Sequence, residues 1–193
     1  MDRKNRPDMK SAMDIAQTLA QAQAGNSQAW GEIYEQYAPA IYRFCRHALL
    51  HHEDAEDATA EIFLKLRQKL DQYDPNRPFS PWLYRIAANH CWDMMRRRGR
   101  HGLNDDDEAL LLLEHPDPSQ LDQLIREQTG GKVRQALAEM PGRARMALVL
   151  RYYADLSYDE IAATLQLPRQ YVGVILLRAR HQMRDLMVEG GAR

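Results

Sequence analysis

Apolar residues recur every three or four positions along almost the whole chain, and polar residues fill the gaps. No run of β-branched residues alternates with polar ones, so the period is helical throughout. It predicts helices at about 12–24, 27–50, 53–71, 80–98, 131–139, 143–154, 158–166 and 168–188. Punctuation falls between them. Gly25 stops the first helix, with Asn26 or Ser27 opening the second, and Pro141-Gly142 separates two later ones. Ser80 is placed to cap the fourth helix, and Pro81 to open it. The expectation is an all-α chain.

Residues 157–184 are the most specific stretch. Ser157 and Glu160 form a capping box. Ile161, Ala162 and Leu165 follow at helical spacing, and Leu167-Pro168 breaks the helix, with Pro168 as first residue of the next. Val172, Leu176, Ala179 and Met183 then form a core stripe. Two short helices joined this way make a helix-turn-helix, whose second helix can enter a DNA major groove. A plain helical hairpin would show the same pattern.

Charge divides the chain into blocks. The net charge of −1 is uninformative, but residues 1–100 carry 15 Lys and Arg against 13 Asp and Glu. Residues 101–130 carry 1 against 8, and residues 131–193 carry 10 against 6. Two mildly basic blocks therefore flank an acidic one, which reads as a linker with one helical turn at Ala109–Leu113. The expected organisation is a tail (1–11), a helical domain (12–100), the acidic linker (101–130) and a helix-turn-helix domain (131–193).

Two features of opposite sign stand in the first domain. Glu53, Asp54, Glu56, Asp57 and Glu61 crowd the start of a helix whose Ala55, Ala58, Ile62 and Leu66 face inward. Carboxylates favour that end of the helix dipole, so a solvated helix start explains them as well as a docking face for a basic partner does. Further on, Trp82, Tyr84 and Trp92 interleave with Arg85, Asn89, Asp93, Arg96 and Arg97, and Arg98 and Arg100 follow. Leu83, Ile86, Ala87, His90 or Cys91, and Met94 form the inward stripe. Cations with aromatic rings suit single-stranded or distorted nucleic acid. Core aromatics and a helix C-terminus that favours cations account for the same residues.

Other classes find little support. No run is long and apolar enough to span a membrane, and the charged N-terminus lacks a secretion signal's apolar core. Cys45 and Cys91 read as buried thiols inside helices, and a cytoplasmic protein is expected. His51 and His52 beside Glu53 and Asp54 hint at a metal, but adjacent residues do not share a helix face. No HExxH, paired CxxC, phosphate-cradling glycine loop or ordered triad appears. No catalysis, cofactor or metal is expected.

Taken together, these segments resemble the bacterial sigma factors of the extracytoplasmic-function group, from about Ala20 to Leu186. QAQAGNSQAWGEIYEQYAPAIYRF resembles the family's opening segment and DAEDATAEIFLKL its acidic polymerase-binding segment. RPFSPWLYRIAANHCWDMMRRR resembles its helix that melts promoters and reads the minus-ten element. ALAEMPGRARMALVLRYYADLSYDEIAATLQLP resembles its C-terminal DNA-binding domain. The resemblance implies that Asp54, Glu56, Asp57 and Glu61 lie near the clamp helices of the polymerase β′ subunit. It implies that the loop Tyr73–Phe79, with Tyr73, Asn76 and Arg77, holds a flipped base beside Trp82. Asn89, Asp93, Arg96 and Arg97 would face the adjacent duplex. Core RNA polymerase, through its β′ and β subunits, promoter DNA and an anti-sigma factor are the implied partners. The acidic linker would thread through basic polymerase channels. An ordinary helix-turn-helix regulator is the alternative.

One departure concerns the second helix of the motif. After Tyr171-Val172 come Gly173, Val174 and Ile175, where the family carries polar and basic residues. The line Gln170, Val174, Leu177 and His181 is half apolar, and apolar side chains discriminate bases poorly. Arg169, Gln170 and Tyr171 remain the candidates for base contact, and Arg178, Arg180 and Arg184 for phosphate. The apolar line suits a protein surface as well.

Overall fold

A computed structural model describes residues 9–97 and 130–189, with side chains placed for 15–97 and 132–187. The tail 1–11, the acidic linker with its turn at Ala109–Leu113, Arg98 and Arg100 therefore lie wholly or largely outside the described residues. Among the described residues there are only helices, turns and bends. No helix among them is long and apolar enough to cross a membrane.

The first half holds α1 (Met9–Gln23), α2 (Ser27–Leu49), α3 (His52–Lys69) and α4 (Phe79–Arg97), with one 3-10 turn at Leu70–Gln72. The second half holds α5 (Gly130–Glu139), α6 (Gly142–Tyr152), α7 (Tyr158–Leu165) and α8 (Arg169–Glu189). Gly25 ends α1 with a φ of +88°, a conformation that costs glycine little. Asn26 then caps α2, accepting from the amides of Gln28 at 2.9 Å and Ala29 at 3.3 Å. Pro39 sits inside α2 on its exposed side, where the carbonyl it leaves unpaired can meet water. Two expected boundaries shift. Helix α4 opens at Phe79, so Ser80 and Pro81 lie within its first turn, where a missing N–H is tolerated. Helix α7 ends at Leu165 because Gln166 turns left-handed (φ 56°), and α8 starts at Arg169, just after Pro168.

The inward stripe of α3 is as expected: Ala55, Ala58, Ile62 and Leu66 are fully buried. On α4 the buried face is wider than a single stripe. Leu83, Ala87 and Cys91 are joined by Ala88, Trp92 and Met95, while Ile86 and Met94 are only half-buried. Helices α2, α3 and α4 pack on one another, with α1 against α2, and α8 packs across α5, α6 and α7.

The two halves also meet. Helix α2 packs on α6, and α4 on α6 and α7, so one buried apolar cluster runs through both halves. At this seam Arg145 of α6 is 1% exposed. Its Nε donates to the carbonyl of Ala48 at 3.1 Å and one Nη to that of Leu137 at 3.2 Å. Both carbonyls lie in the last turn of a helix, α2 and α5 respectively, where carbonyls lack a partner within the helix and the dipole is negative. One guanidinium thus caps a helix end in each half. Burial pulls its pKa down to about 10, which leaves it charged at neutral pH.

Candidate nucleic-acid interface

The link between α3 and α4 folds into an aromatic corner. Asp74 anchors it: its carboxylate accepts from the backbone N–H of Asn76 at 2.9 Å and pairs with Arg77 at 3.5 Å. The Tyr73 hydroxyl donates to the carbonyl of Arg77 at 2.5 Å. These local bonds hold the Tyr73 ring 5.4 Å from Phe79 and 5.2 Å from Trp82, and Tyr37 supports Phe79 from below at 5.1 Å. Tyr73 and Trp82 stay half-exposed, while Asn76 and Arg77 are exposed at the rim. Burial raises the pKa of both Tyr37 and Tyr73, so both phenols stay neutral at pH 7. A planar apolar ligand with polar edges, such as an unstacked base, suits this corner.

Beyond the corner, Arg85, Asn89, Arg96 and Arg97 are exposed along α4, with Asp93 half-buried. Arg96 pairs with Asp93 at 3.4 Å. The interleaved aromatics divide. Trp82 remains accessible, Tyr84 is half-buried 5.6 Å from Phe44, and Trp92 is 4% exposed and belongs to the core.

Glu53, Glu56, Asp57 and Glu61 are exposed on α3, and Asp54 is half-buried. Glu56 and Glu61 each have a neighbour within the chain. Glu56 lies 3.3 Å from His52, which meets the Tyr42 hydroxyl at 2.6 Å. Glu61 lies 3.5 Å from Nε2 of His90, and Lys65 meets the other ring nitrogen at 2.6 Å. Burial, with Lys65 next, lowers the pKa of His90, which keeps the ring neutral. Among the described residues no group of three or more His, Cys, Asp or Glu is placed to hold a metal.

The helix-turn-helix has its predicted framework. Ser157 accepts from the amide of Glu160 at 3.3 Å, and the Glu160 carboxylate accepts from that of Ser157 at 2.9 Å. Val172, Leu176, Ala179 and Met183 are buried, and Ile175, at 7% exposed, joins them. Gly173, Val174 and Leu177 are half-buried, and Gln170 and His181 exposed. Of the base-contact candidates, Arg169 is exposed in an ion pair with Asp159 at 2.8 Å, and Tyr171 is half-buried against the core. Of the phosphate candidates, Arg178 is exposed, and Arg184 pairs with Asp185 at 3.4 Å. Arg180 is half-buried and donates to the Tyr158 hydroxyl at 3.4 Å, which ties α8 to α7.

Three residues at the seam drew no attention in the sequence: His47, Arg145 and Gln166. The His47 ring stacks 4.3 Å from Tyr153, and Gln166 accepts from Arg96 at 3.5 Å. An arginine and a histidine at ordinary helical positions carry no local signal. Only the left-handed Gln166, before Leu167-Pro168, lies beside a visible break.

The chain matches two family models in order: "Sigma-70 region 2" over residues 33–101 and "Sigma-70, region 4" over residues 130–183. It is 34% identical over 163 residues to the ECF RNA polymerase sigma factor SigE of Mycolicibacterium smegmatis, covering 83% of this chain but only 62% of that relative's length. It is 32% identical over 136 residues to the ECF RNA polymerase sigma-E factor of Escherichia coli (strain K12), covering 66% of this chain and 70% of the relative. Among solved structures, CnrH in complex with the cytosolic domain of CnrY superposes with a TM-score of 0.59 at 25% identity, over 90% of this chain and 97% of that one.

Proposed function

The chain belongs to the sigma-70 family of RNA polymerase sigma factors, in its extracytoplasmic-function group, and we propose that it binds core RNA polymerase, directs it to specific promoters and helps open them. The observation that carries the reading is the pinned aromatic corner of Tyr73, Phe79 and Trp82 beside the exposed cationic edge of α4.

Unstacking a base costs a few kcal/mol. Stacking on an aromatic ring returns about 1–3 kcal/mol per base, so a ring held ready offsets much of that cost. In this reading Tyr73 and Trp82 present the stacking surface, while Asn76 and Arg77 meet the polar edge of a base. Asn89, Asp93, Arg96 and Arg97 line the adjacent DNA, and the Arg cations draw phosphates. Arg169, Gln170 and Tyr171 open the second helix of the motif toward a second DNA element, with Arg178 toward phosphate. Arg180, bonded to Tyr158, contributes more to holding the two helices together. Asp54, Glu56, Asp57 and Glu61 form the face toward polymerase, by way of the β′ clamp helices. The domains take the boundaries 12–100 and 131–193, with an acidic linker at 101–130 between them.

The chain acts as a regulatory subunit in the cytoplasm, with no catalysis of its own. An anti-sigma factor is the expected inhibitor; the solved CnrH is held by a protein partner, CnrY. The test is to add the purified chain to core polymerase and sequence the transcripts that start. Initiation at a defined set of sites is expected. No stable complex with core polymerase, together with DNA binding by the chain alone, would establish an ordinary helix-turn-helix regulator instead.

A further inference from the structure

Arginines from both halves gather around one point of the seam. Arg43, Arg46 and His47 share one face of α2, the latter two standing three and four residues after the first. Arg145 donates both to the Ala48 carbonyl of α2 and to the Leu137 carbonyl of α5, so the end of α2 and α5 lie side by side. Arg134 stands one turn before Leu137 on α5. Burial lowers the pKa of the His47 ring, and Arg134, Arg46 and Arg43 lower it further. All three charges therefore approach one ring, which stacks 4.3 Å from Tyr153. Arg134 and Arg43 act on the Tyr153 phenol as well.

Helix electrostatics accounts for part of this. Arg46 lies in the last turn of α2, where a cation meets the negative end of the dipole. Arg134 has no such reason, since the last turn of α5 holds no basic residue. Among the described residues, the side chains of Arg43, Arg46 and Arg134 make no ion pair and no hydrogen bond. One Nη of Arg46 is closed to water without a partner. Like charges held together repel, and an anion set between them turns the repulsion into attraction. Arg43 is exposed, and Arg46 and Arg134 are half-buried, so the group opens to solvent. Burial raises the pKa of Tyr153 against the pull of both arginines, so its hydroxyl keeps its proton and can donate. A guanidinium fork takes phosphate oxygens two at a time, and three forks suit a ligand with several negative charges.

We propose that Arg43, Arg46 and Arg134, with the Tyr153 hydroxyl, form a binding site for a polyphosphate anion, a chain of two or more linked phosphates. A single phosphate engages one or two of the forks, whereas a chain reaches from α2 across to α5. Inorganic polyphosphate and the phosphate tail of a nucleotide share this chemistry. None of the four residues faces DNA or polymerase in the reading above, so the site stands apart from that reading. A ligand that bridges α2 and α5 binds the folded chain alone and stabilises it.

The experiment titrates the full chain with inorganic triphosphate in a calorimeter, at low salt and without divalent cations. Saturable one-to-one binding is expected, with a rise in thermal midpoint at saturation. R43Q and R134Q should each weaken binding about tenfold, the loss of one charge-assisted contact, and remove most of the rise. R67Q, which deletes an exposed arginine lying over Trp30, should bind as the parent does. Sulfate should bind far more weakly. Titration with ATP separates the sources: tighter binding than triphosphate assigns the site to a nucleotide, and equal or weaker binding to inorganic polyphosphate. No saturable binding, the same loss in R67Q, or sulfate as good as triphosphate would overturn the proposal and reduce the cluster to unspecific attraction. Weaker DNA binding by R43Q and R134Q, with no response of the parent to triphosphate, would assign the cluster to nucleic acid instead. If R134Q loses its helical signal, R43Q decides alone. Core polymerase takes no part, so the outcome is independent of the sigma reading.

Discussion

The imidazole of His47, on α2, lies 4.3 Å from the phenol ring of Tyr153, at the end of α6, with the two planes inclined by 30°. Burial lowers the pKa of His47 from 6.5 to about 4, and Arg134, Arg46 and Arg43 press it the same way. Its Nδ1 is buried without a hydrogen-bond partner. The folded ring is therefore neutral over a range in which the unfolded ring is charged. The unfolded state binds the extra proton, so stability falls as pH drops from about 6.5 toward 4 and is level above that window. The shift corresponds to a ceiling of about 3 kcal/mol, and residual solvent contact trims it to about 1–2 kcal/mol. His90 is shifted in the same direction and adds to the slope. Urea unfolding at pH 7 and pH 5 checks this. H47Q should flatten the slope; an unchanged slope would clear His47 of the effect.

Cys45 and Cys91 approach each other to 3.6 Å between α2 and α4, both fully buried as free thiols. The contact with Cys45 and the loss of water raise the pKa of Cys91 well above its ordinary value. Thiolate is the reactive form, so Cys91 should be inert in the folded protein. A thiol reagent at pH 7.5 should leave both cysteines unmodified in the native chain and modify both in denaturant. Fast reaction of Cys91 without denaturant would contradict its burial.

Ser157 closes the capping box at the start of α7. Losing a Ser cap costs about 1 kcal/mol. S157A should lower the thermal midpoint by about 2–5 °C. The same substitution at Ser27 should matter less, because Asn26 supplies the cap there. Thermal melts of the two variants separate the cases, and equal loss would mean that the box contributes nothing beyond propensity.

The helices, the capping box, the inward face of α3 and the outward carboxylates were legible because each depends on residues within one or two turns. Trp92 was not. It sits among charges in the sequence, yet the face of α4 buried against its neighbours is wide enough to take it in. Ile175 is the same case on α8: three helices pack across α8, so its core is broader than one stripe. The seam was invisible for a different reason. Arg145 finds Ala48 across 97 positions of sequence, and no local pattern marks a cation that meets the backbone carbonyl of a distant helix. Its place depends on how the two halves dock, which periodicity does not encode. The residues of the candidate interface could be named from the sequence, but their contacts could not. That Arg96 is engaged by Gln166 could be read only from the fold.

Arg96 and Trp82 should fail in different ways. Arg96 is exposed at the end of α4 and offers a charge; Trp82 is half-buried in the aromatic corner and offers a ring. Replacing Arg96 and Arg97 with Ala removes up to two phosphate contacts. Affinity of the polymerase complex for duplex promoter DNA should then fall, and the slope of log affinity against log salt should flatten by about 1–2. W82A leaves those cations in place. It should weaken binding to a promoter with an unpaired minus-ten strand by about 1–3 kcal/mol per stacked base, with little change in the salt slope. Both variants should bind core polymerase as the parent does. In contrast, D54K with D57K should weaken that binding while leaving the helical circular dichroism signal intact. If W82A instead flattened the salt slope, or the double arginine variant lost only open-strand binding, the division of labour between corner and edge would be reversed.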